Sequence, residues 1–249
     1  MKAMIFAAGL GTRLKPLTNH TPKALIQVGG IPMLQHVILK LKEAGFTELV
    51  VNIHHLGEQI SDFLQANGNF GISIHISDER NELLDTGGGI KKAESFFNGN
   101  EPFLVHNVDI LSNVNLTSFY NFHSNTSNDV SLLVSKRDTN RYLLFNSNNH
   151  LCGWINTMTG ETKPQNFIYD KEKYHPYAFS GIQMVSPSIF RTMNDYPYNR
   201  FSITDFYLQH CKDLQIGCCV PADFRMIDIG KPETLACANQ FLNEMESKV

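Results

Sequence analysis

No stretch of this sequence approaches the roughly 18 consecutive apolar residues that a membrane-spanning helix requires. Its apolar opening, Ala3 to Leu10, is too short for a secretory leader and runs at once into Arg13 and Lys15. Neither a leader nor a span is expected, and a cytoplasmic protein is. Cysteine is sparse: the five residues are odd in number and never spaced Cys-x-x-Cys. That argues against a disulfide framework and for reduced thiols, with Cys218-Cys219 packed in an apolar, strand-like stretch. An excess of one charge is also lacking. Twenty-one Lys and Arg stand against 24 Asp and Glu, a net charge of -3. This excludes a broad basic surface for nucleic acid or anionic lipid. Repeats, low-complexity tracts and linkers are missing as well. What remains is a 249-residue chain, 42% apolar and 18% charged, an ordinary globular balance. It is expected to form a single domain, 1–249, with no room for a C-terminal β-helix.

The first 110 residues alternate strand and helix patterns. Lys2 to Ala8, Glu48 to Ile53 and Phe103 to Val108 read as short buried strands, and Ile72 to Ile76 as an alternating one. Between them, Met33 to Ala44 places Leu34, Val37, Ile38 and Leu41 on one helical face, stopped by Gly45. Glu58 to Ala66 is a second helix, with Ile60, Phe63 and Leu64 inward. A third helix spans Gly88 to Phe97 and is preceded by a glycine run. Such alternation implies an α/β fold with a mainly parallel sheet and right-handed crossovers. Ligands then bind beyond the carboxyl ends of the strands, where the Gly9 loop, the Gly87 run and Asp109 lie. Later segments are less regular: a strand Val130 to Ser135, a hairpin Arg141 to Ile155 turning at Asn148-Asn149, a polar loop Thr157 to Pro176, and a strand Tyr177 to Val185. A helix opens at Ser202 with Asp205 as an approximate capping box, and a strand spans Phe224 to Asp228. The last helix starts at Pro232, with Leu235, Ala238, Phe241 and Leu242 on its apolar face.

Ala8-Gly9-Leu10-Gly11-Thr12-Arg13-Leu14 follows the first strand. Glycines there let the backbone approach a phosphate and offer it N–H donors, although a plain tight turn uses the same residues. Leu14 stands where a dinucleotide fingerprint needs a third small residue, and the Gly-Lys-Ser/Thr of a P-loop is absent. No acidic residue ends the second strand, so a nicotinamide cofactor is not expected. Arg13 and, after Thr21-Pro22, Lys23 put two cations beside the glycines. Together they suit a triphosphate, whose charge builds on the leaving pyrophosphate. Asp109 and Asp228 each stand at the end of a strand. A strand-end aspartate can hold a cation or merely cap a turn. His54 and His55, adjacent on a strand, point to opposite faces and do not suit one metal ion, so a structural role is expected. Trp154 is expected to pack within its hairpin.

The run Lys2 to Thr18, followed by Thr21-Pro22-Lys23-Ala24-Leu25, resembles the signature of sugar-1-phosphate nucleotidyltransferases. The resemblance continues through Asn52 to Ile60, Asp85 to Ile90, Asn107-Val108-Asp109, Phe179-Ser180-Gly181 and Asp228 to Glu233. The pieces Leu56-Gly57-x-Gln59-Ile60 and Thr86-Gly87-Gly88-Gly89 are most similar to the uridylyltransferases that act on N-acetylmuramate 1-phosphate. The resemblance implies a Rossmann-like three-layer sandwich with a mixed, mainly parallel central sheet. It implies nucleotide contacts from Ala8, Gly9, Gly11, Thr12, Arg13, Lys23, Gly87 and Gly88, with Arg13, Lys23 and Asp109 in the chemistry. It places Asn107, Gly181 and Asp228 at the sugar phosphate and makes Asp109 and Asp228 the ligands of Mg²⁺. The expected substrates are an NTP, UTP favoured, and a sugar 1-phosphate. The expected product is UDP-N-acetylmuramate or a relative. Guanylyl, thymidylyl and cytidylyl transfer, and a non-catalytic regulator, are the alternatives. A monomer or homodimer is expected. Ser180 replaces a glutamate common in relatives, Asp85 stands for a glutamate, and Lys163-Pro164 is a candidate for a lysine near the sugar phosphate.

Overall fold

The computed structural model describes residues 1–246. The end of the expected 1–249 domain, residues 247–249, lies outside them. The chain runs β1 (Lys2–Phe6), β2 (Gln27–Val28), β3 (Ile31–Pro32), α1 (Met33–Glu43), β4 (Glu48–Ile53), α2 (Gly57–Ala66), β5 (Ser73–Asp78), α3 (Asp85–Lys92), β6 (Phe103–Asn107), β7 (Ile110–Ser112) and α4 (Leu116–Ser124). It continues through β8 (Val130–Ser135), β9 (Arg141–Phe145), β10 (Leu151–Asn156), β11 (Thr162–Lys163), β12 (His175–Val185), α5 (Ile189–Asp195), α6 (Ile203–His210), β13 (Ile216–Cys219), β14 (Met226–Asp228) and α7 (Pro232–Glu246). These elements gather into two compact units. Of the described residues, one holds 1–83, 105–117 and 225–246; the other holds 84–104 and 118–224.

In the first unit the sheet order is β6-β1-β4-β5, with β1, β4 and β5 parallel. Met4 pairs with Val50, and Val50 with His75. Short apolar strands of this kind are buried on both faces. Met4, Ile5, Leu49 and Val51 are accordingly fully buried. Helix α1 buries Met33, Leu34, Val37, Ile38 and Leu41, the expected face plus one residue, and Gly45 stops it in the left-handed region at φ 87°. Truncating any one of these leucines to alanine costs about 2–5 kcal/mol.

The expected strand at Phe224 to Asp228 does not enter this sheet. It forms β14, which pairs antiparallel with β7 alone, matching Asp228 to Ile110 and Ile227 to Leu111. This ribbon gains its core from α7: Leu111 and Ile229 are buried with Val28, Met33 and Ala238, and Leu235, Phe241 and Leu242 pack against them. The apolar face expected of the last helix is therefore what holds the ribbon in place.

The second unit orders its strands β11-β10-β9-β12, with β8 on β12 antiparallel and β13 on β8 parallel. The expected hairpin is present, Leu143 facing Trp154 across β9 and β10. The glycine run lies inside the first turns of α3, and the rest of the expected helix, Glu94–Phe97, tightens to a 3₁₀ turn. The sequence reading of Thr157 to Pro176 as loop missed β11. Helices α4 and α5 were also missed, being short and rich in Asn, Ser and aromatic residues that weaken the 3.6-residue period.

His123 in α4 is buried and bridges Ser131 Oγ at 2.8 Å and Ser186 Oγ at 2.9 Å. Ser186 spends its own proton on the Asn128 carbonyl, so the imidazole donates through Nε2 and accepts at Nδ1. A second proton, on Nδ1, would meet the Ser131 hydroxyl proton and force that hydroxyl to turn away. Burial, partly opposed by Asp129, accordingly holds this imidazole down at about 4. The folded state therefore resists protonation that the unfolded chain accepts near 6.5. This contribution is complete above that pH and is lost as pH falls through 6.5 toward 4. Urea unfolding should show His123→Gln to be less stable than wild type at pH 7.5 by about 1–3 kcal/mol. The gap should narrow as the pH is lowered to 4.5. A constant gap would contradict the titration.

Candidate active site

Between β1 and β2 the chain runs through three 3₁₀ turns, Thr12–Leu14, Leu17–Asn19 and Lys23–Leu25. Leu14, Thr18 and Ala24 are buried and anchor this segment while Gly9, Leu10, Thr12 and Arg13 stay exposed. Gly11 takes the left-handed conformation at φ 63°, and a Cβ there would lie 2.7 Å from Thr18 Cγ2. The Thr18 hydroxyl donates to the Gly11 carbonyl at 2.8 Å. Gly11 is thus a folding requirement. Gly9 is different. Its φ is not positive, and a Cβ built on it meets nothing within 4 Å. No contact of the fold excludes a side chain at that position, whereas close approach by a ligand would.

Among the described residues, the main-chain N–H groups of Gly9, Leu10, Gly11, Thr12 and Arg13 have no hydrogen-bond acceptor. Successive free donors of this kind, one of them beside a left-handed residue, make an anion-binding concavity. Ala8, expected among the nucleotide contacts, spends its N–H inward on Asn52 Oδ1 at 3.2 Å, as Ala7 does at 2.7 Å.

The cations and carboxylates assemble in the same unit. Lys23 donates to Asp109 Oδ2, and both side chains are largely shielded, 12% and 14% exposed. Asp109 lies between β6 and β7, at the strand end where the sequence placed it. Asp228 closes β14, and the register brings it opposite Ile110 while the Ile229 N–H donates to the Asp109 carbonyl at 3.0 Å. Asp228 Oδ1 accepts from the Gly230 N–H at 2.7 Å. A side chain on Gly230 would lie 2.8 Å from both Asp228 Oδ1 and Arg13 Nη2. Glycine at 230 therefore leaves room for the Arg13 guanidinium beside Asp228. The ribbon thus sets the main chain at Asp109 against Ile229, the residue after Asp228, a juxtaposition across 119 positions of sequence that no local pattern encodes.

Half-buried Lys40 supports this ribbon, and buried His106 lies on the strand before it. Lys40 of α1 donates to the Ser112 carbonyl at the far end of β7 and reaches Ser112 Oγ at 3.4 Å. Burial, opposed by Glu43, lowers its pKa to about 8. His106 on β6 is held down at about 4 by burial and by the Lys40 charge, although its Nδ1 donates to the Asn107 carbonyl at 2.8 Å. It is a neutral structural group at neutral pH. Asn107 itself is half-buried, two residues before Asp109.

The remaining expected residues belong to the second unit. Gly87 and Gly88 do not offer an open glycine surface: both are buried, their N–H groups point at the Phe201 carbonyl, at 2.8 and 3.4 Å, and added Cβ atoms would strike the Phe201 ring at 2.2 Å and the Asn199 carbonyl at 2.1 Å. Packing against residues 199–201 accounts for glycine at both positions. Gly181 adopts φ 75° inside a bulge of β12 between Phe179 and Gln183. Ser180, buried beside it, donates to the Leu133 carbonyl at 2.6 Å. Trp154 pairs across β10 and β11 with Lys163, whose ammonium lies 5.4 Å from the indole centre and 2.8 Å from Asp205 Oδ1. Asp205 thus serves Lys163 through its side chain, while its N–H is capped by Ser202 at 3.4 Å. His54 fixes the Glu79 carbonyl at 2.7 Å, and His55 is exposed. Among the described residues no three His, Cys, Asp or Glu gather to hold a metal, and no helix is long and apolar enough to cross a membrane.

The chain is 43% identical over 131 residues to the N-acetylmuramate alpha-1-phosphate uridylyltransferase of Neisseria meningitidis, a match covering 53% of this chain and 56% of that one. It is 30% identical over 249 residues to the protein of the same name from Caulobacter vibrioides, covering 97% of each. Among solved structures, a putative glucose-1-phosphate thymidylyltransferase from Bacillus anthracis superposes with a TM-score of 0.79 at 21% identity, over 97% of this chain and 94% of that one, which shows a shared fold. The nucleotidyl transferase family model matches residues 2–245, and the chain belongs to that family.

Proposed function

We propose that this protein transfers a nucleoside monophosphate from an NTP to a sugar 1-phosphate, with UTP and N-acetylmuramate 1-phosphate as its substrates. The observation that carries the reading is the presence, in one unit, of five N–H donors without an acceptor among the described residues, together with Arg13, Lys23, Asp109 and Asp228. The choice of substrates rests on the two N-acetylmuramate uridylyltransferases to which the chain is similar.

An oxygen of the sugar phosphate attacks the α-phosphorus. A P–O bond forms there as the bond to the β-phosphate oxygen breaks, and pyrophosphate leaves with that electron pair. The nucleophile is already anionic, so no side chain need remove a proton, and catalysis reduces to positioning and charge neutralisation. The Gly9 to Arg13 donors hold the polyphosphate. Lys23, kept in place by Asp109 in the free protein, transfers to the incoming phosphate. Arg13, beside Asp228, offsets charge on the departing pyrophosphate. Asp109 and Asp228 are hard oxygen donors on neighbouring stretches of main chain, with Asp228 Oδ1 engaged by one N–H. They fit Mg²⁺, which keeps several waters and is completed by substrate phosphates. When bound, that ion would supply charge neutralisation at the phosphates.

The direct test is pyrophosphate release with Mg²⁺, UTP and N-acetylmuramate 1-phosphate, run beside GTP, dTTP and CTP and beside N-acetylglucosamine, mannose and glucose 1-phosphates. Release that needs both substrates supports the reading, and UTP with N-acetylmuramate 1-phosphate should be fastest. Preference for GTP and mannose 1-phosphate would replace it with guanylyl transfer. Asp109→Asn and Asp228→Asn should each lower kcat/KM by more than about 100-fold without unfolding the protein; near-normal turnover in both would remove the metal assignment. Gly9→Ala should melt within about 2 °C of wild type, since the fold leaves its Cβ free. The same variant should bind nucleotide roughly tenfold or more weakly. Unchanged affinity would show that no phosphate reaches that backbone.

A further inference from the structure

We propose that Asn52 is the positioning residue of the phosphate-binding loop and that Glu79 acts through it; this rests on the function proposed above. Asn52 sits on β4 and is 3% exposed. A buried amide is costly unless each polar atom is satisfied. Its Oδ1 accepts from both Ala7 and Ala8, at 2.7 and 3.2 Å, and its Nδ2 donates to Glu79 Oε1 at 2.8 Å. Glu79, 1% exposed, is itself fixed: its N–H donates to the Ile53 carbonyl at 2.8 Å, and its own carbonyl accepts from His54 Nδ1 at 2.7 Å.

The carboxylate determines which way the amide faces. Turned over, Asn52 would set its NH₂ against two N–H donors and its oxygen against Glu79. Held as it is, it draws the last two donors before the glycines inward, so the free donors begin at Gly9. No other acceptor takes up both Ala7 and Ala8, and the neighbouring anchor of the segment lies farther along, where Gln59 Nε2 donates to the His20 carbonyl at 3.0 Å. Glu79 reaches the loop through this amide.

Asparagine is the fitting side chain because this position needs an acceptor on one side and a donor on the other. Asn52→Asp has nearly the same shape but sets a second carboxylate against Glu79. Adding Glu79→Gln returns a donor to that contact with the polarity exchanged: the glutamine NH₂ donates to the carboxylate at 52, whose other oxygen still accepts from Ala7 and Ala8. The pair of changes separates positioning from bulk stability.

The test uses the full chain, with inorganic triphosphate and Mg-UTP as probes, and reads binding, KM against kcat, melting temperature and main-chain amide exchange. In wild type, Ala7 and Ala8 amides should exchange slowly and Gly9 to Arg13 fast. Asn52→Asp should speed exchange at Ala7 and Ala8, weaken triphosphate binding and raise the KM for the NTP at least tenfold, with a smaller change in kcat and in the KM for the sugar phosphate. The double variant should recover binding and KM to within about threefold. If Asn52→Asp does not fold, Asn52→Ser, too short to reach both sides, should give the same pattern. Wild-type triphosphate affinity in a folded single variant would overturn the proposal, and so would a double variant that recovers its melting temperature but not its binding. Amide exchange and triphosphate affinity require no turnover, so they decide this proposal even if the sugar-phosphate reaction proves to be wrong.

Discussion

The site depends on one constraint of hydrogen bonding. A backbone N–H must find an acceptor, in the protein, in water or in a ligand. Up to Ala8 the chain satisfies its donors internally, through the sheet and then through Asn52. From Gly9 to Arg13 it offers them outward. Everything else in the first unit can be understood as holding that boundary in place: Leu14 and Thr18 buried beneath the loop, Gly11 turned left-handed against Thr18, Gln59 fixing His20, and the Asn52 and Glu79 pair beneath its start.

A row of donors alone would bind any small anion. Chemistry needs charge placed beside it, and the fold supplies this with a two-stranded ribbon rather than with the main sheet. Pairing β7 with β14 sets the Asp109 backbone in hydrogen-bond contact with Ile229, next to Asp228. Like charges so placed repel, and the described structure offsets them with cations: Lys23 on Asp109, and the Arg13 guanidinium beside Asp228. The ribbon is short, so its geometry rests on its surroundings. Helix α7 packs its apolar face on Leu111 and Ile229, and Lys40 grips the other end at Ser112. Residues remote from the chemistry thereby set the separation of the two carboxylates.

Much of this was legible in the sequence, for physical reasons. Short buried strands and single-faced helices carry strong periodicity, which is why β1, β4, α1, α2 and α7 fall where the pattern puts them. A glycine loop with two cations is a local signal. Asp109 and Asp228 were visible as strand ends, but their partnership was not, because register between distant strands leaves no local trace. Asn52 stands in the sequence within a segment of the family resemblance and where another kind of fold would carry an acidic residue, and neither marks its contact. Its role depends on a carboxylate 27 positions away. At positions 87 and 88 the close packing of Phe201 and Asn199, which the glycine run does not reveal, calls for glycine. Trp154 found a partner in Lys163 because a cross-strand neighbour is fixed by pairing and not by spacing.

The central claim is that the outward donors of Gly9 to Arg13 are the phosphate site. It is tested most directly by following the main-chain amide resonances of residues 5 to 15 while Mg-UTP is added to the protein. The account predicts that the amides of Gly9 through Arg13 shift together at one affinity and become slow to exchange, while those of Ala7 and Ala8 move little. Saturable nucleotide binding that left the Gly9 to Arg13 amides unmoved would contradict it.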